Sequence, residues 1–258
     1  MKYDFAITPC PNDVFTYYAL ISGEVENGVF NFTFSDIEKL NKDAFLGIAP
    51  ITKLSFAAFL NLRDKYELLD AGSALGIGSG PVLVSKNTGL DLTKKIAVPG
   101  INTTANLLLN FYAKQKFSAK PKVEPLHFRE IIENIASEKF ESGVLIHEGR
   151  FVFENFGLHL LADLGAFWEN ATNLPVPLGC ICIRKDLLPI KGQVESLIRK
   201  SLKFAFDNPE KTYPMVAKMA QYLSEDVLKR HIYAFVNEYS FDISQIRESL
   251  LHNLEKCL

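Results

Sequence analysis

The sequence predicts an α/β protein of two lobes, each a mixed, mostly parallel sheet flanked by helices. Three observations lead there. Short apolar runs alternate with helical patterns through the first half of the chain, that rhythm restarts after a glycine-rich stretch, and the final quarter is helical throughout. At 258 residues the chain can bury a core in each lobe, since a domain commonly holds ~100–200 residues. Hydrophobic residues make up 48% and charged residues 22%, the balance of a packed chain and not of a disordered one.

Asp4 to Thr8 reads as a strand, Pro-Cys-Pro-Asn-Asp as a turn, and Val14 to Ile21 as a helix. Val29 to Phe34 alternates as a strand should, Asp36 caps a short helix, Leu46 to Ile51 forms the next strand, and Lys53 to about Arg63 the next helix. Tyr66 to Asp70 follows as a strand. After the glycine-rich Gly72 to Gly80, strands are expected at Pro81 to Ser85 and Lys95 to Val98, and a helix from Thr104 to Gln115. Val123 to Leu126, Arg129 to Lys139 and Gly143 to Ile146 continue as strand, amphipathic helix and strand. Leu174 to Leu178 leads into the apolar strand Cys180 to Ile183. Val194 to Leu258 holds three helical patterns, broken near Asn208-Pro209 and at Glu238 to Asp242.

This order suits a type 2 periplasmic-binding-protein-like fold, with residues 1–87 and 179–258 as the larger, discontinuous lobe and residues 88–178 as the smaller. In that architecture the ligand is expected in a cleft between the lobes, where strand ends and helix N-termini converge.

The formal net charge of −2, with no long Lys/Arg cluster, removes the usual basis for nucleic-acid binding. Met1-Lys2-Tyr3-Asp4 runs straight into an apolar stretch with none of the succession of a secretory signal, and no apolar run approaches the roughly 18–20 residues of a membrane span. The expectation is a cytoplasmic protein, in contact with neither nucleic acid nor membrane. Cys10, Cys180, Cys182 and Cys257 contain no C-x-x-C pair and read as free thiols. Gly76-Ile77-Gly78-Ser79-Gly80 lacks the spacing and the following helix of a nucleotide loop, and no cluster has metal-ligand spacing. Neither a cofactor nor a metal is expected.

Four segments could carry chemistry. Thr8-Pro9-Cys10-Pro11-Asn12-Asp13 follows a strand and opens a helix, so its backbone amides and the Asn12 side chain would face the cleft; the plainer alternative is a rigid turn with Asp13 as helix cap. Lys53-Leu54-Ser55 places a cation and a hydroxyl at an expected helix start, suited to a carboxylate; an ordinary first-turn serine and a solvated lysine are the alternative. Asn102-Thr103-Thr104-Ala105 is its counterpart in the second lobe, with a simple helix cap as the alternative. Ile146-His147-Glu148-Gly149-Arg150 ends a buried strand on a histidine, which at an ordinary pKa of ~6.5 can take a proton at neutral pH; a purely structural strand-end histidine is the alternative. Its second ring nitrogen could be held by Glu148 or a backbone carbonyl. His127, His159, His231 and His252 lack such a setting and read as core or surface residues.

Taken together, Thr8-Pro-Cys-Pro-Asn-Asp13, Thr52-Lys-Leu-Ser-Phe56, Gly78-Ser-Gly-Pro81, Pro99-Gly-Ile-Asn-Thr-Thr-Ala105, Ile146-His-Glu-Gly-Arg150 and Leu174-Pro-Val-Pro-Leu-Gly179 resemble the 1,4-dihydroxy-6-naphthoate synthases of the futalosine route to menaquinone. The resemblance spans most of the first 185 residues and leaves the C-terminal helices out. It implies a cofactor-free carbon–carbon lyase that converts cyclic dehypoxanthinyl futalosine to 1,4-dihydroxy-6-naphthoate. His147 resembles the family's proton acceptor, and Lys53 to Ser55 with Thr103-Thr104 its substrate-binding segments; Asn12, Pro9 and Arg150 join them as candidates. The partners expected are a small-molecule carboxylate substrate and a second copy of the chain in a homodimer. A chorismate dehydratase-like enzyme of the same route and a non-catalytic binder of small anions remain as alternatives.

Overall fold

A computed structural model of the chain describes every residue except 1, 27–28, 148 and 221–224. It divides into two compact units, Met1–Leu75 with Gly179–Ser249, and Gly76–Leu178 with Leu250–Leu258.

The first unit begins with β1 (Tyr3–Ile7), α1 (Pro11–Ser22), β2 (Phe30–Phe34), α2 (Ile37–Phe45), β3 (Ile51–Ser55), α3 (Phe56–Leu60), β4 (Tyr66–Leu68) and β5 (Ala74–Gly76), the last crossing into the second unit. Local chemistry sets α1: Cys10 holds the extended cap position, Pro11 supplies the first helical residue, and Gly23 ends the helix at a φ of 83°. Asp36 caps α2 as the sequence expects, its side chain accepting from the Lys39 amide. The expected strand Leu46 to Ile51 is instead a turn: Gly47 takes a φ of 72°, Leu46 and Ile48 are exposed, and pairing starts only after Pro50. Lys53 therefore lies inside β3, not at a helix start.

The second unit contains β6 (Val82–Ser85), β7 (Lys95–Val98), α4 (Thr104–Phe117), β8 (Lys122–Pro125), α5 (Phe128–Ala136), β9 (Ser142–Leu145), α6 (Gly149–Val152), β10 (His159–Asp163) and α7 (Leu164–Thr172). Its sheet order is β10-β6-β9-β7-β8. β7 runs parallel to β8 and β9, as βα crossovers require, whereas β6 pairs antiparallel with β9 and β10. That pairing corrects the expected lobe boundary: residues 76–87 belong to the second unit, and so do residues 250–258, where Leu250, Leu254 and Cys257 are buried. Val82, Val84, Ile131, Ile135, Leu145 and Leu158 form its core.

The chain returns through one long strand, β11 (Val176–Arg184), and ends with α8 (Lys191–Asp207), α9 (Pro209–Ala220), α10 (Glu225–Phe235), α11 (Glu238–Phe241) and α12 (Arg247–Glu255). In the first unit the order is β2-β1-β3-β11-β4, with β5 also on β11; β1 is parallel to β2 and β3, and β11 is antiparallel to β3 and β4. Both sheets are thus mixed. Helix α1 is buried from Pro11 through Leu20 because α8, α9 and α10 cover the face it turns away from the sheet. Phe5, Ile7, Phe15, Ile181, Ile198, Leu202 and Ile232 knit these layers together. Among the described residues no helix is long and apolar enough to cross a membrane.

Candidate functional site

In the first unit the loop between β1 and α1 closes on a buried carboxylate. Thr8 donates to Asp13 Oδ2 from its amide (3.2 Å) and its hydroxyl (2.5 Å), and Asn12 Nδ2 donates to Asp13 Oδ1 at 3.0 Å. The Lys53 ammonium completes the set as an ion pair with Asp13, the two side chains only 6% and 3% exposed. Asp13 is therefore not the cap of α1, a position taken by Cys10, but an anion inside its first turn. The same carboxylate bears on Tyr17: burial first, then the Asp13 charge, push the Tyr17 hydroxyl well above the ordinary phenol range.

Strand alternation explains the Lys-Leu-Ser motif. Lys53 and Ser55 share one face of β3, while Leu54 between them turns the other way, fully buried, its carbonyl accepting from the Cys180 thiol at 3.6 Å. Gly179, opposite Ser55 in the ladder, leaves room on that face for the Lys53 side chain. Asp13 is the only acceptor for the Lys53 ammonium among the described residues, so two of its three N–H bonds point elsewhere. Ser55 is held by Asn41, which is fully buried: Asn41 Oδ1 accepts from the Ser55 amide at 2.9 Å, and its Nδ2 donates to Ser55 Oγ at 3.1 Å. With Oγ accepting from Asn41, the hydroxyl proton has no acceptor among the described residues. Pro9 is half-buried in the loop above.

In the second unit His147 follows β9 with a φ of 53°, a left-handed conformation uncommon outside glycine, and its ring meets Phe128 edge-on with centroids 4.8 Å apart. Glu148, expected as a partner for the imidazole, falls outside the described residues. Thr103 caps α4: its hydroxyl donates to the Gly100 carbonyl at 2.8 Å and accepts from the Asn106 amide at 3.3 Å. Thr104 donates to the Leu178 carbonyl at 3.1 Å, so both threonines pin the start of the helix. Arg150 hydrogen-bonds the Gly80 carbonyl and lies 3.4 Å from Asp163. It braces a place where Gly80 and Gly165 come so close that a Cβ on Gly80 would stand 2.6 Å from the Gly165 Cα. The Gly-Ser-Gly-Pro segment is thus a packing device between β6 and α7.

Asp13, Asn41 and His231 of the first unit were not candidates in the sequence. Asp13 carries a charge that reads equally well as a cap, and His231, on α10, contacts Asn12 from 219 positions away, for which no local signal exists. His127, set aside on sequence, proves to be the cap of α5.

An α/β chain of two mixed sheets, each combining parallel βα crossovers with antiparallel strands, is of the periplasmic-binding-protein-like class. The solved Candida albicans CA3427 gene product, which exhibits the generic periplasmic binding protein fold, matches with a TM-score of 0.71 at 11% identity over 100% of this chain and 90% of that one. Protein AF1704 from Archaeoglobus fulgidus matches with a TM-score of 0.92 at 34% identity, over 99% and 96% of the two chains. Within this class the chain belongs to the menaquinone biosynthesis family, whose model matches residues 3–257. The curated 1,4-dihydroxy-6-naphthoate synthase of Thermus thermophilus is 38% identical over 252 residues, 96% of this chain and 90% of that protein.

Proposed function

We propose that this enzyme of menaquinone biosynthesis is a carbon–carbon lyase that converts cyclic dehypoxanthinyl futalosine to 1,4-dihydroxy-6-naphthoate, in the cytoplasm and without a cofactor. The observation that carries this reading is the likeness to the Thermus thermophilus synthase along 96% of the chain.

The chemistry asks little of a protein beyond a base and a mould. His147 takes a proton from the bound spirocycle, electrons move into the ring, and aromatisation drives cleavage of the carbon–carbon bond to the sugar-derived part. Its backbone conformation and the Phe128 edge fix the imidazole, which is half-buried. Lys53 and Ser55 bind oxygen atoms of the carboxylate-bearing substrate; their support is the set of donors without an acceptor among the described residues, two ammonium N–H bonds and one hydroxyl proton. Leu54 anchors the strand between them. Asn12 and Pro9 shape the loop beside Lys53, while Thr103 and Thr104 hold the start of α4, whose N-terminal end favours an anionic oxygen. Arg150 acts by bracing the backbone at Gly80.

Incubating the purified chain with cyclic dehypoxanthinyl futalosine, with no metal or cofactor added, tests the reading by ultraviolet absorbance and mass spectrometry. Formation of dihydroxynaphthoate supports it. Tight binding without conversion would favour a binding protein, and inertness on both counts would refute both.

A further inference from the structure

His231 has no part in the reaction described above, yet it sits at the back of the Lys53 network. It is fully buried on α10, its ring rests on Phe235 with centroids 5.0 Å apart, and its Nε2 lies 3.1 Å from Asn12 Oδ1.

The direction of that contact can be deduced. Asp13 accepts from the Thr8 amide and hydroxyl, from Asn12 and from the Lys53 ammonium; an ionised carboxylate has no hydrogen to give. The Asn12 group turned toward Asp13 must therefore be its NH2, which leaves the amide oxygen facing His231. An amide oxygen only accepts. The proton between His231 and Asn12 is consequently on His231 Nε2.

We propose that His231 is a positioning residue for Lys53. Its Nε2–H fixes the orientation of the Asn12 amide, Asn12 presents its NH2 to Asp13 Oδ1, and that same oxygen holds the Lys53 ammonium on the face of β3 it shares with Ser55. Without the imidazole donor, the Asn12 oxygen is a buried acceptor with its partner removed. The amide then gains by turning, which withdraws one donor from Asp13 and frees the carboxylate to rotate with Lys53 attached. The part of the chain that carries none of the sequence motifs would in this way set the geometry of one that does. The inference rests on the proposed role of Lys53 in binding substrate.

Two variants of the full chain separate a donor from mere bulk. In His231→Gln the side-chain amide can place an N–H near the position of Nε2–H; in His231→Leu the volume remains and the donor is gone. With cyclic dehypoxanthinyl futalosine as substrate, His231→Leu is expected to raise KM roughly tenfold, the scale of one lost buried hydrogen bond, with kcat within about twofold. His231→Gln should recover most of the affinity. An unchanged KM in His231→Leu, or equal impairment of both variants, overturns the proposal, because a structural role alone would lower the active fraction and leave KM as it was. A second measurement needs neither variant nor turnover: nitrogen-15 NMR of the imidazole in the unaltered chain should find a proton on Nε2, and a bare Nε2 overturns the proposal even if both variants fail to fold. Absence of turnover in the unaltered chain would count against the proposed reaction, and the NMR result would then decide this inference by itself.

Discussion

Gly179 and Lys53 occupy one space between neighbouring strands: a Cβ on Gly179 would lie 2.5 Å from Lys53 Cε and 3.4 Å from its Nζ. Residue 179 has no side chain, which leaves this space to the lysine where it pairs with Asp13. Gly179→Ala should displace the ammonium and raise KM by roughly tenfold or more, overpacking of this kind costing ~1–3 kcal/mol. Steady-state kinetics read it; an unaltered KM would mean that Lys53 does not bind substrate.

The buried ion pair makes a second prediction. Removing Asp13 leaves an ammonium in the interior without its anion, so Asp13→Ala should destabilise the protein by about 3–5 kcal/mol, whereas Asp13→Leu with Lys53→Met should recover most of that loss. Chemical denaturation of the single and double variants measures both.

His147→Asn should abolish turnover and leave substrate affinity within about threefold, since the replacement keeps a polar side chain, and asparagine tolerates left-handed backbone. Calorimetric binding beside single-turnover kinetics checks the pair of outcomes, and near-normal turnover would remove His147 from the mechanism.

Thiol ionisation sets a dependence on pH. Burial pushes the Cys257 thiol up to about 11, and burial together with the Cys180 thiol 3.7 Å away raises Cys182 well above the ordinary range. A thiol that keeps its proton longer when folded stabilises the fold fully below its unfolded pKa and loses that contribution as pH climbs through the folded one. Thermal stability should therefore fall between about pH 8.5 and about 11, and less steeply in Cys257→Ala. At neutral pH, Cys180 and Cys182 should react with a thiol reagent only after denaturant is added.

The βα rhythm was legible because each repeat carries its own punctuation. Pro11 and Gly23 bracket α1, Asp36 caps α2, and the apolar residues 96–98 of β7 are buried on both faces. What went unread depends on distant partners. Lys53 looks like a helix-start residue because a lysine inside a buried strand makes no local sense; its permit is Asp13, 40 positions earlier. The run from Leu46 to Ile51 looks like a strand until Gly47 turns left-handed. Val82–Ser85 could be assigned to its sheet only by knowing β9 and β10, and β10, an edge strand that is mostly part-exposed, carries too weak a pattern to announce itself. Of the candidate site, the motif residues were visible and the buried residues that contact them, Asn41 and His231, were not, since an amide or imidazole in a core has no signature of its own.

The division of the first unit into two stretches of chain has a consequence during synthesis. A ribosome that has released residues 1–75 has produced β1, β2 and β3 but not β11, so one edge of β3 waits for a partner that lies beyond the whole of the second sheet. At ~5–20 residues per second that wait lasts several seconds, and throughout it an apolar strand edge is open to any other nascent chain.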